Sequence, residues 1–208
     1  MQKKGKFIVV DGCEGAGKTT AIKSLPESLN GHKINITHEP GGTPFADKIR
    51  ALILSEDAHD SGAETMFGLM WGARAEHLKN KIIPALSRGE TVICDRFDSS
   101  TYAYQIKAQG AGHLKDLFWQ TRKAYLGEAV PDLYLFFDVE PSLGLQRVSE
   151  RNEAKTHFDE RRLEFHALVR EGFKEFLREV PHKIIDANRD IVSVRDDFLE
   201  AVADLLSG

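Results

Sequence analysis

The segment VVDGCEGAGKTT, residues 9–20, constrains the fold of this chain more than any other. Its apolar residues predict a strand, which runs directly into a loop with three glycines in six residues. The loop matches the pattern G-x-x-x-x-G-K-T between Gly12 and Thr19. A strand, a glycine-rich loop and a helix in this order are typical of α/β domains in which the loop binds phosphate groups.

The residue types in this loop suit that chemistry. Glycines adopt backbone angles that other residues avoid, so the loop can curl with its N–H groups pointing inward. Lys18 would place a cation near the β- and γ-phosphates, and the Thr19 hydroxyl would reach Mg²⁺. A glycine-rich turn without a ligand is the alternative, but all fixed positions and both flanking elements match. The residues predicted to hold a nucleoside triphosphate are Gly12, Cys13, Glu14, Gly15, Ala16, Gly17, Lys18, Thr19 and Thr20.

Length and composition limit the other possibilities. A chain of 208 residues suits one domain, residues 1–208, possessing an ordinary globular balance of 41% hydrophobic and 29% charged residues. A net charge of −4 argues against a surface that binds nucleic acid, and no apolar run approaches the length of a membrane span. Two cysteines are too few for a disulfide framework. We therefore expect a cytoplasmic protein without nucleic-acid or membrane partners.

Short apolar runs alternate with helical patterns along the whole chain, which predicts a parallel sheet covered by helices on both faces. Ligands bind such sheets at the carboxyl ends of the strands. The predicted strands are KFIVVD (6–11), KINITH (33–38), TVICD (91–95), DLYLFFDV (132–139) and HKIIDA (182–187). The predicted helices cover 17–29, 43–54, 63–88, 98–106, 113–126, 141–151, 158–178 and 190–206.

A second cluster follows the strand TVICD at the same edge of the sheet. Asp95 could hold Mg²⁺ through water, and the neighbouring Arg96 could clamp a phosphate with its planar guanidinium. A solvated strand-end pair is the alternative, which the phosphate loop makes less attractive. Asp138, which ends another strand without an adjacent cation, is interpreted as structural.

Further candidates come from three helical segments. Phe67, Met70, Arg74 and His77 fall on one face of the helix predicted over 63–88, where a ring, a thioether and a guanidinium would suit a nucleobase, although such stripes usually pack in a core. The segment SSTYAYQ pairs Ser100 with Tyr104 and Thr101 with Gln105 at i, i+4 spacing. The third segment, QRVSERNEAKTHFDERR (146–162), is either a solvated charge run or a lid, about residues 147–160, that brings a cation over the reacting phosphoryl group.

Together these segments resemble the thymidylate kinase (dTMP kinase) family of P-loop nucleoside monophosphate kinases, in its bacterial-type form. The resemblance covers nearly the whole chain. Its specific motifs are HEPGGTP (38–44), CDRF (94–97), SSTYAYQ (99–105) and PDLYLFFDV (131–139), in this order. It implies a five-stranded parallel sheet with a small helical lid, a homodimer, Mg·ATP as donor, dTMP as acceptor and dTDP as product.

The resemblance also implies roles for individual residues. Arg96 would clamp the dTMP phosphate with Arg50, while Asp11, Asp95 and Thr19 would lie near Mg²⁺. Arg74 would reach the thymine edge. The remaining residues implied on the acceptor side are Glu39, Pro40, Phe67, Met70, Ser100, Thr101, Tyr104 and Gln105.

Two positions depart from the family pattern. Met70 stands where the family commonly has a phenylalanine, and Phe67 lies one turn earlier. Glu14 occupies a loop position where some members carry a basic residue, so the catalytic cation would come from the lid. Arg151 is our first candidate, followed by Arg147 and then Lys155.

Other functions remain open from the residues alone. A deoxynucleoside kinase would have the same loop but a hydroxyl acceptor, and a related monophosphate kinase would prefer another base. A nucleotide-dependent switch would need the loop but no second site. Two arginines on the acceptor side, Arg50 and Arg96, favour a phosphorylated acceptor.

Overall fold

The computed structural model describes residues 4–150 and 161–207, and six strands of this part of the chain form one sheet. The strand order is β2-β3-β4-β1-β5-β6, and all pairs are parallel except β2 with β3. The strands are β1 (Phe7–Gly12), β2 (Ser28–Leu29), β3 (His32–His38), β4 (Thr91–Asp95), β5 (Leu133–Asp138) and β6 (His182–Asp186). The five predicted strands are therefore confirmed.

The expected number of five strands was wrong by one, because β2 adds a sixth. This strand has two residues and joins β3 through Asn30 and Gly31, whose φ angles are 51° and 79°. Asn-Gly with two positive φ angles is the preferred two-residue hairpin turn. The helix predicted over 17–29 consequently ends early, at Lys23, ahead of Pro26, which has no N–H to continue a helix.

Helices cover both faces of the sheet, as the sequence predicts. None of the helices within residues 4–150 and 161–207 combines the length and apolar character that a bilayer crossing requires. The α-helices are α1 (Lys18–Lys23), α2 (Pro44–Ile53), α3 (Ala63–His77), α4 (Ile83–Ser87), α5 (Asp98–Thr101), α6 (Lys115–Leu126), α7 (Pro141–Ser149), α8 (Leu163–Leu177) and α9 (Ile191–Ser207). Short 3₁₀ turns lie at Glu56–Ala58 and Gly112–Leu114.

Two predicted helices contain wider, π-helical turns. The helix expected over 63–88 has one at Leu78–Ile82, shortly before Pro84. The helix expected over 98–106 becomes π-helical at Tyr102–Ala108. Such turns occur frequently at functional sites, and the second one carries two of the predicted acceptor-side residues. Of the predicted lid, Arg147–Ser149 form the last turn of α7, while residues 151–160 lie outside the described part.

The sheet brings the carboxyl ends of its central strands together. β1 lies between β4 and β5, with Val10 opposite Asp95 and Asp11 opposite Phe136. On the next strand, His38 is opposite Asp95. The phosphate loop after β1, the Asp95–Arg96 pair after β4 and the Glu39–Pro40 turn after β3 therefore meet at one edge.

Helix α8 packs directly on the π-helical segment. A Cβ built on Gly172 of α8 would lie 2.7 Å from the Cα of Ala103 and 2.8 Å from the Cβ of Lys107. These distances are shorter than real Cβ contacts, so only glycine permits this separation. From the neighbouring position of α8, the Phe173 ring contacts the Tyr104 ring edge-on at 6.3 Å.

We expect Gly172→Ala to lower the free energy of unfolding by about 1–3 kcal/mol, the usual cost of overpacking a core. Urea denaturation measures this change. The control is Gly112→Ala, where an added Cβ meets no atom within 4 Å of the described structure and φ is not positive. That variant should be neutral or slightly more stable. Equal effects at both glycines would contradict the close packing.

Candidate active site

The phosphate loop has the curled backbone that its glycines predict. Gly15 and Gly17 have φ angles of 69° and 87°, in the left-handed region that favours glycine. A Cβ on Gly15 would lie 2.1 Å from the carbonyl oxygen of Gly144 in α7. The loop thus rests directly on the backbone of a helix, and no other residue fits at position 15.

Lys18 begins α1 and its side chain turns back into the loop. Its Nζ donates to the carbonyl oxygens of Gly12 and Cys13, both at 2.9 Å, and only 7% of the residue is exposed. Burial, with the nearby charge of Arg96, lowers the pKa of Lys18. The ammonium is therefore held by the loop's own carbonyl oxygens at the edge of a cleft.

This cleft has a volume of about 910 Å³. The phosphate loop forms one end, and the turn after β3, helix α3 and the π-helical segment form the other. The predicted site residues that line it are Glu14, Gly15, Ala16, Gly17, Lys18, Thr19, Thr20, Glu39, Pro40, Arg50, Met70, Arg74, Asp95, Arg96, Ser100, Tyr104 and Gln105. One cleft therefore brings together residues from both the predicted donor side and the predicted acceptor side.

Arg96 lies where the two ends of the cleft meet. Its Nη2 donates to Glu14 Oε1 at 2.5 Å, and its Nη1 donates to Ser100 Oγ at 3.2 Å. The Tyr104 hydroxyl donates to the same Glu14 oxygen at 2.8 Å. Arg96 adopts a φ of 66°, which is uncommon outside glycine and is found at sites where the surrounding structure enforces it.

The charge of Arg96 determines the ionisation of Glu14. Burial alone would raise the pKa of the Glu14 carboxyl, but Arg96, Lys18 and the Tyr104 hydrogen bond outweigh burial and lower it from 4.5 to about 2. Glu14 is therefore an ionised partner of both cations, inside the loop where some family members carry a basic residue.

The two predicted metal-site carboxylates have different surroundings. Asp95 Oδ2 accepts from the Thr19 hydroxyl at 3.3 Å, so the two predicted oxygen ligands are adjacent. Asp11 is 2% exposed and does not line the cleft. Its oxygens accept from the hydroxyls of Ser99 at 2.7 Å and Ser100 at 2.9 Å. Within the described residues, no three His, Cys, Asp or Glu side chains are grouped to hold a metal ion.

Arg74 is fully buried but reaches the cleft. Its Nε donates to Glu39 Oε2 at 2.9 Å, and its Nη2 donates to Thr101 Oγ1 at 3.1 Å. The guanidinium lies over the Trp71 ring at 4.5 Å. Its Nη1 has no hydrogen-bond partner among the described residues. Nη1 is therefore a buried donor without a partner in the described part of the protein.

The stripe on α3 divides between the core and the cleft. Phe67 is buried against Trp71, with 6.1 Å between ring centroids, and is not part of the cleft lining. Met70 lines the cleft instead. The position of Phe67 therefore gives no support to its predicted contact with the acceptor.

The other predicted residues outside the cleft lining are Gly12, Cys13, Thr101 and Arg147. Gly12 and Cys13 contribute carbonyl oxygens to Lys18, and Thr101 accepts from Arg74. Arg147 donates to the carbonyl oxygens of Ala187 at 2.8 Å and Arg189 at 3.2 Å. Arg151 and Lys155 lie outside the described residues.

With this geometry in place, comparison with known proteins identifies the family. The sequence profile described as "Thymidylate kinase" matches residues 10–198. The chain belongs to the thymidylate kinase family. It is 40% identical over 213 residues to the thymidylate kinase of Shouchella clausii, covering 98% of this chain and 97% of that protein. It is also 42% identical over 206 residues to the thymidylate kinase of Marinomonas sp. strain MWYL1, covering 97% and 96%.

The sequence did not reveal a buried group of three polar residues that positions part of this site. Asp98 begins α5 and accepts from Arg122 Nε at 2.6 Å and from the Tyr134 hydroxyl at 2.7 Å. The three residues lie on α5, α6 and β5, so no local spacing reveals them. Their contact fixes the start of the helix that carries Ser100 and Tyr104.

The ionisation of Glu14 gives a pH-dependent prediction. A carboxyl whose pKa is lowered on folding adds stability that is complete above its unfolded pKa and is lost as the pH falls towards the folded pKa. The Tm of the wild type should exceed that of Glu14→Gln above about pH 5. This difference should shrink between pH 4.5 and about 2, the two pKa values of this group. Calorimetric scans of both proteins at each pH measure the difference in Tm. The titration of the other acidic residues does not contribute to this difference, because both proteins contain them. A difference that is independent of pH would contradict the ion pair.

Proposed function

We propose that this chain transfers the γ-phosphoryl group of ATP to dTMP, giving dTDP and ADP. The observation that carries the proposal is the single cleft with a phosphate loop at one end, Arg50 and Arg74 at the other end, and Arg96 between them. A phosphorylated acceptor explains why so many cations face a site beside Lys18. The names of the relatives agree with this acceptor.

In this proposal the donor phosphates bind in the loop. Inward-facing N–H groups between Gly12 and Thr19 surround them, and Lys18 exchanges its carbonyl partners for phosphate oxygens. An oxygen of the dTMP phosphate forms a bond to the γ-phosphorus, while the bond from that phosphorus to the β,γ-bridging oxygen breaks. Arg96, already fixed by Glu14 and Ser100, orients the attacking phosphate without further ordering.

Thr19 and Asp95 fit a magnesium ion, because their hard oxygen atoms are adjacent and lie beside the loop. Bound Mg²⁺ would neutralise charge on the β- and γ-phosphates. Asp11 acts here by positioning rather than by ligation, since its oxygens accept hydrogen bonds from Ser99 and Ser100.

The other side of the cleft would hold the thymine and the deoxyribose. The free Nη1 of Arg74 would donate to an oxygen of the base edge. Met70 supplies an apolar contact in place of the ring common in the family. Tyr104, held by Glu14, would crowd the position of a 2′-hydroxyl. Gln105 and Pro40 complete the lining.

The experiment is turnover with a panel of nucleosides and nucleoside monophosphates, with ATP as donor. We expect dTMP to be phosphorylated and thymidine to be inert. Arg96→Lys should lower kcat/KM for dTMP about 100-fold, since lysine cannot bind two phosphate oxygens in the same plane. Its ATP affinity should stay close to that of the wild type.

Lys18→Ala is the donor-side control for this experiment, and it should lower the rate by about 100-fold or more whichever acceptor is used. Preferred phosphorylation of a nucleoside would identify a deoxynucleoside kinase instead. ATP hydrolysis without any acceptor product would indicate a nucleotide-dependent switch. If Arg96→Lys lowers the affinity for ATP and leaves dTMP use unchanged, the donor and the acceptor bind at the opposite ends of the cleft from those proposed.

The cation that meets the developing charge on the transferred group would come from the lid. Arg147 already donates to three backbone carbonyl oxygens, one of them that of Gly15 in the phosphate loop at 3.5 Å, so its guanidinium is engaged and Arg151 stays our first candidate. Arg151→Ala should lower kcat at saturating ATP and dTMP with little change in KM, because such a group acts in the transition state. Arg147→Ala and Lys155→Ala are the matched variants. If Arg151→Ala has a normal kcat, Arg151 is not the catalytic cation, and the variant of the other two that lowers kcat identifies it.

A homodimer and a cytoplasmic location stay predictions.

A further inference from the structure

A buried polar cluster lies beneath the acceptor end of the cleft, and one of its members has no part in the proposed reaction. His77, the last residue of α3, is fully buried. Its Nδ1 lies 3.0 Å from Glu39 Oε1, and its Nε2 lies 2.7 Å from Thr37 Oγ1. Both ring nitrogens are therefore engaged by residues at the end of β3 and just beyond it.

The partner of Glu39 determines how His77 is bonded. Glu39 accepts from Arg74 through its other oxygen, Oε2, at 2.9 Å. A carboxylate paired with arginine is ionised and can only accept hydrogen bonds, so the His77 Nδ1 carries a proton and donates it. The two oxygens of Glu39 are thus divided between an imidazole on one side and a guanidinium on the other. Rotation of this carboxylate would break both bonds.

His77 also contacts the turn after β3. A Cβ built on Gly42 would lie 2.5 Å from the His77 Nε2, so the turn backbone lies directly on the imidazole. The same turn presents the carbonyl oxygen of Pro40, which accepts from Arg50 Nη1 at 2.9 Å. Moving the imidazole would therefore shift the carbonyl group that holds Arg50.

We infer that His77 is a positioning residue for the acceptor end, holding Arg74 through Glu39 and Arg50 through the Pro40–Gly42 turn. Its side chain is not part of the cleft lining. One imidazole thus sets the relative placement of two cations that come from different helices. This inference rests on the proposed function, in which Arg74 meets the base and Arg50 the phosphate of the acceptor.

Two substitutions of His77 distinguish its hydrogen bond to Glu39 from its hydrogen bond to Thr37. Asparagine places its amide nitrogen near the position of Nδ1, so His77→Asn can still donate to Glu39 but is too short to reach Thr37. Glutamine extends towards the position of Nε2, so His77→Gln can reach Thr37 but leaves Glu39 without this donor. Loss of a hydrogen bond to a charged group should raise KM for the acceptor about 10-fold or more in His77→Gln. His77→Asn should stay within about 3-fold of the wild type, because that bond is retained.

The measurements are KM for dTMP, KM for ATP and kcat in each variant, with His113→Gln as the control. His113 is an exposed imidazole that pairs with Glu64 on the protein surface, and its variant should match the wild type. We expect KM for ATP to stay unchanged throughout. Equal effects of the asparagine and glutamine variants, or a parallel rise in both KM values, would show that His77 only fills space and would overturn the inference.

A double-mutant cycle tests the route through Glu39. If His77 acts through that carboxylate, His77→Gln combined with Glu39→Gln should raise KM for dTMP no further than Glu39→Gln alone. Additive effects would overturn the route through Glu39. Should His77→Gln fail to fold, the same cycle is run with His77→Leu, which fills a similar volume without a donor to Glu39, and the double variant should again equal Glu39→Gln.

Failure of the inference differs from failure of the proposed function. If the wild type phosphorylates no dTMP, the proposed function is wrong, and the inference about its acceptor end is wrong with it. If the wild type does so and the His77 variants leave KM for dTMP unchanged, the inference alone is wrong.

Discussion

The carboxylate of Asp11 joins the two ends of the cleft. It stands at the end of β1, one residue before the phosphate loop, and accepts from the hydroxyls of Ser99 and Ser100 at the start of the acceptor-side helix. It also accepts from the backbone N–H groups of Gly12 and Phe97. Burial raises the pKa of Asp11, and the charges of Arg96 and Lys18, together with the hydrogen bonds from Ser99 and Gly12, oppose that rise. This side chain therefore joins the loop to the helix directly, and the hydrogen bond from Tyr104 to Glu14 joins them a second time.

Buried charge is used in this site for geometry more than for stability. Glu39 and Arg74 are each at most 4% exposed and form a direct ion pair. Buried pairs of this kind contribute little net stability, because desolvation offsets most of the attraction. What such a pair provides is a fixed orientation of its side chains. Nε and Nη2 each have one acceptor, so the guanidinium of Arg74 has one orientation, and its Nη1 amino group has no partner among the described residues.

Much of the fold follows from local patterns, since apolar runs at the length of a strand locate all five main strands. The residues at which helices and strands begin and end are harder to predict from these patterns. Asn30–Gly31 marks a hairpin that an apolar pattern does not reveal, and the π-helical turn at Tyr102–Ala108 keeps the periodicity of a helix while changing its width.

The convergence of Lys18, Asp95 and Arg96 on one cleft was predictable, because each lies at or just beyond the end of a parallel strand at the same edge of the sheet. The site was not predictable where function depends on which side chains meet across elements. The 3.6-residue stripe placed Phe67 beside Met70, yet the Phe67 ring packs near Trp71 in the core. His77 shares the same stripe, but only the approach of β3 gives its two nitrogens partners. Asp98, Arg122 and Tyr134 come together from three elements with no shared spacing.

The contact between Gly15 and Gly144 has a mechanical consequence. Side chains between two elements act as a compliant layer, because they change rotamer when one element moves. Here the loop backbone and the α7 backbone meet without any side chain between them. A displacement of α7 would therefore meet the backbone of the phosphate loop directly, with no side-chain rotamer to absorb it. Any movement of the helix that precedes the predicted lid is thus coupled to the loop that we propose binds the donor.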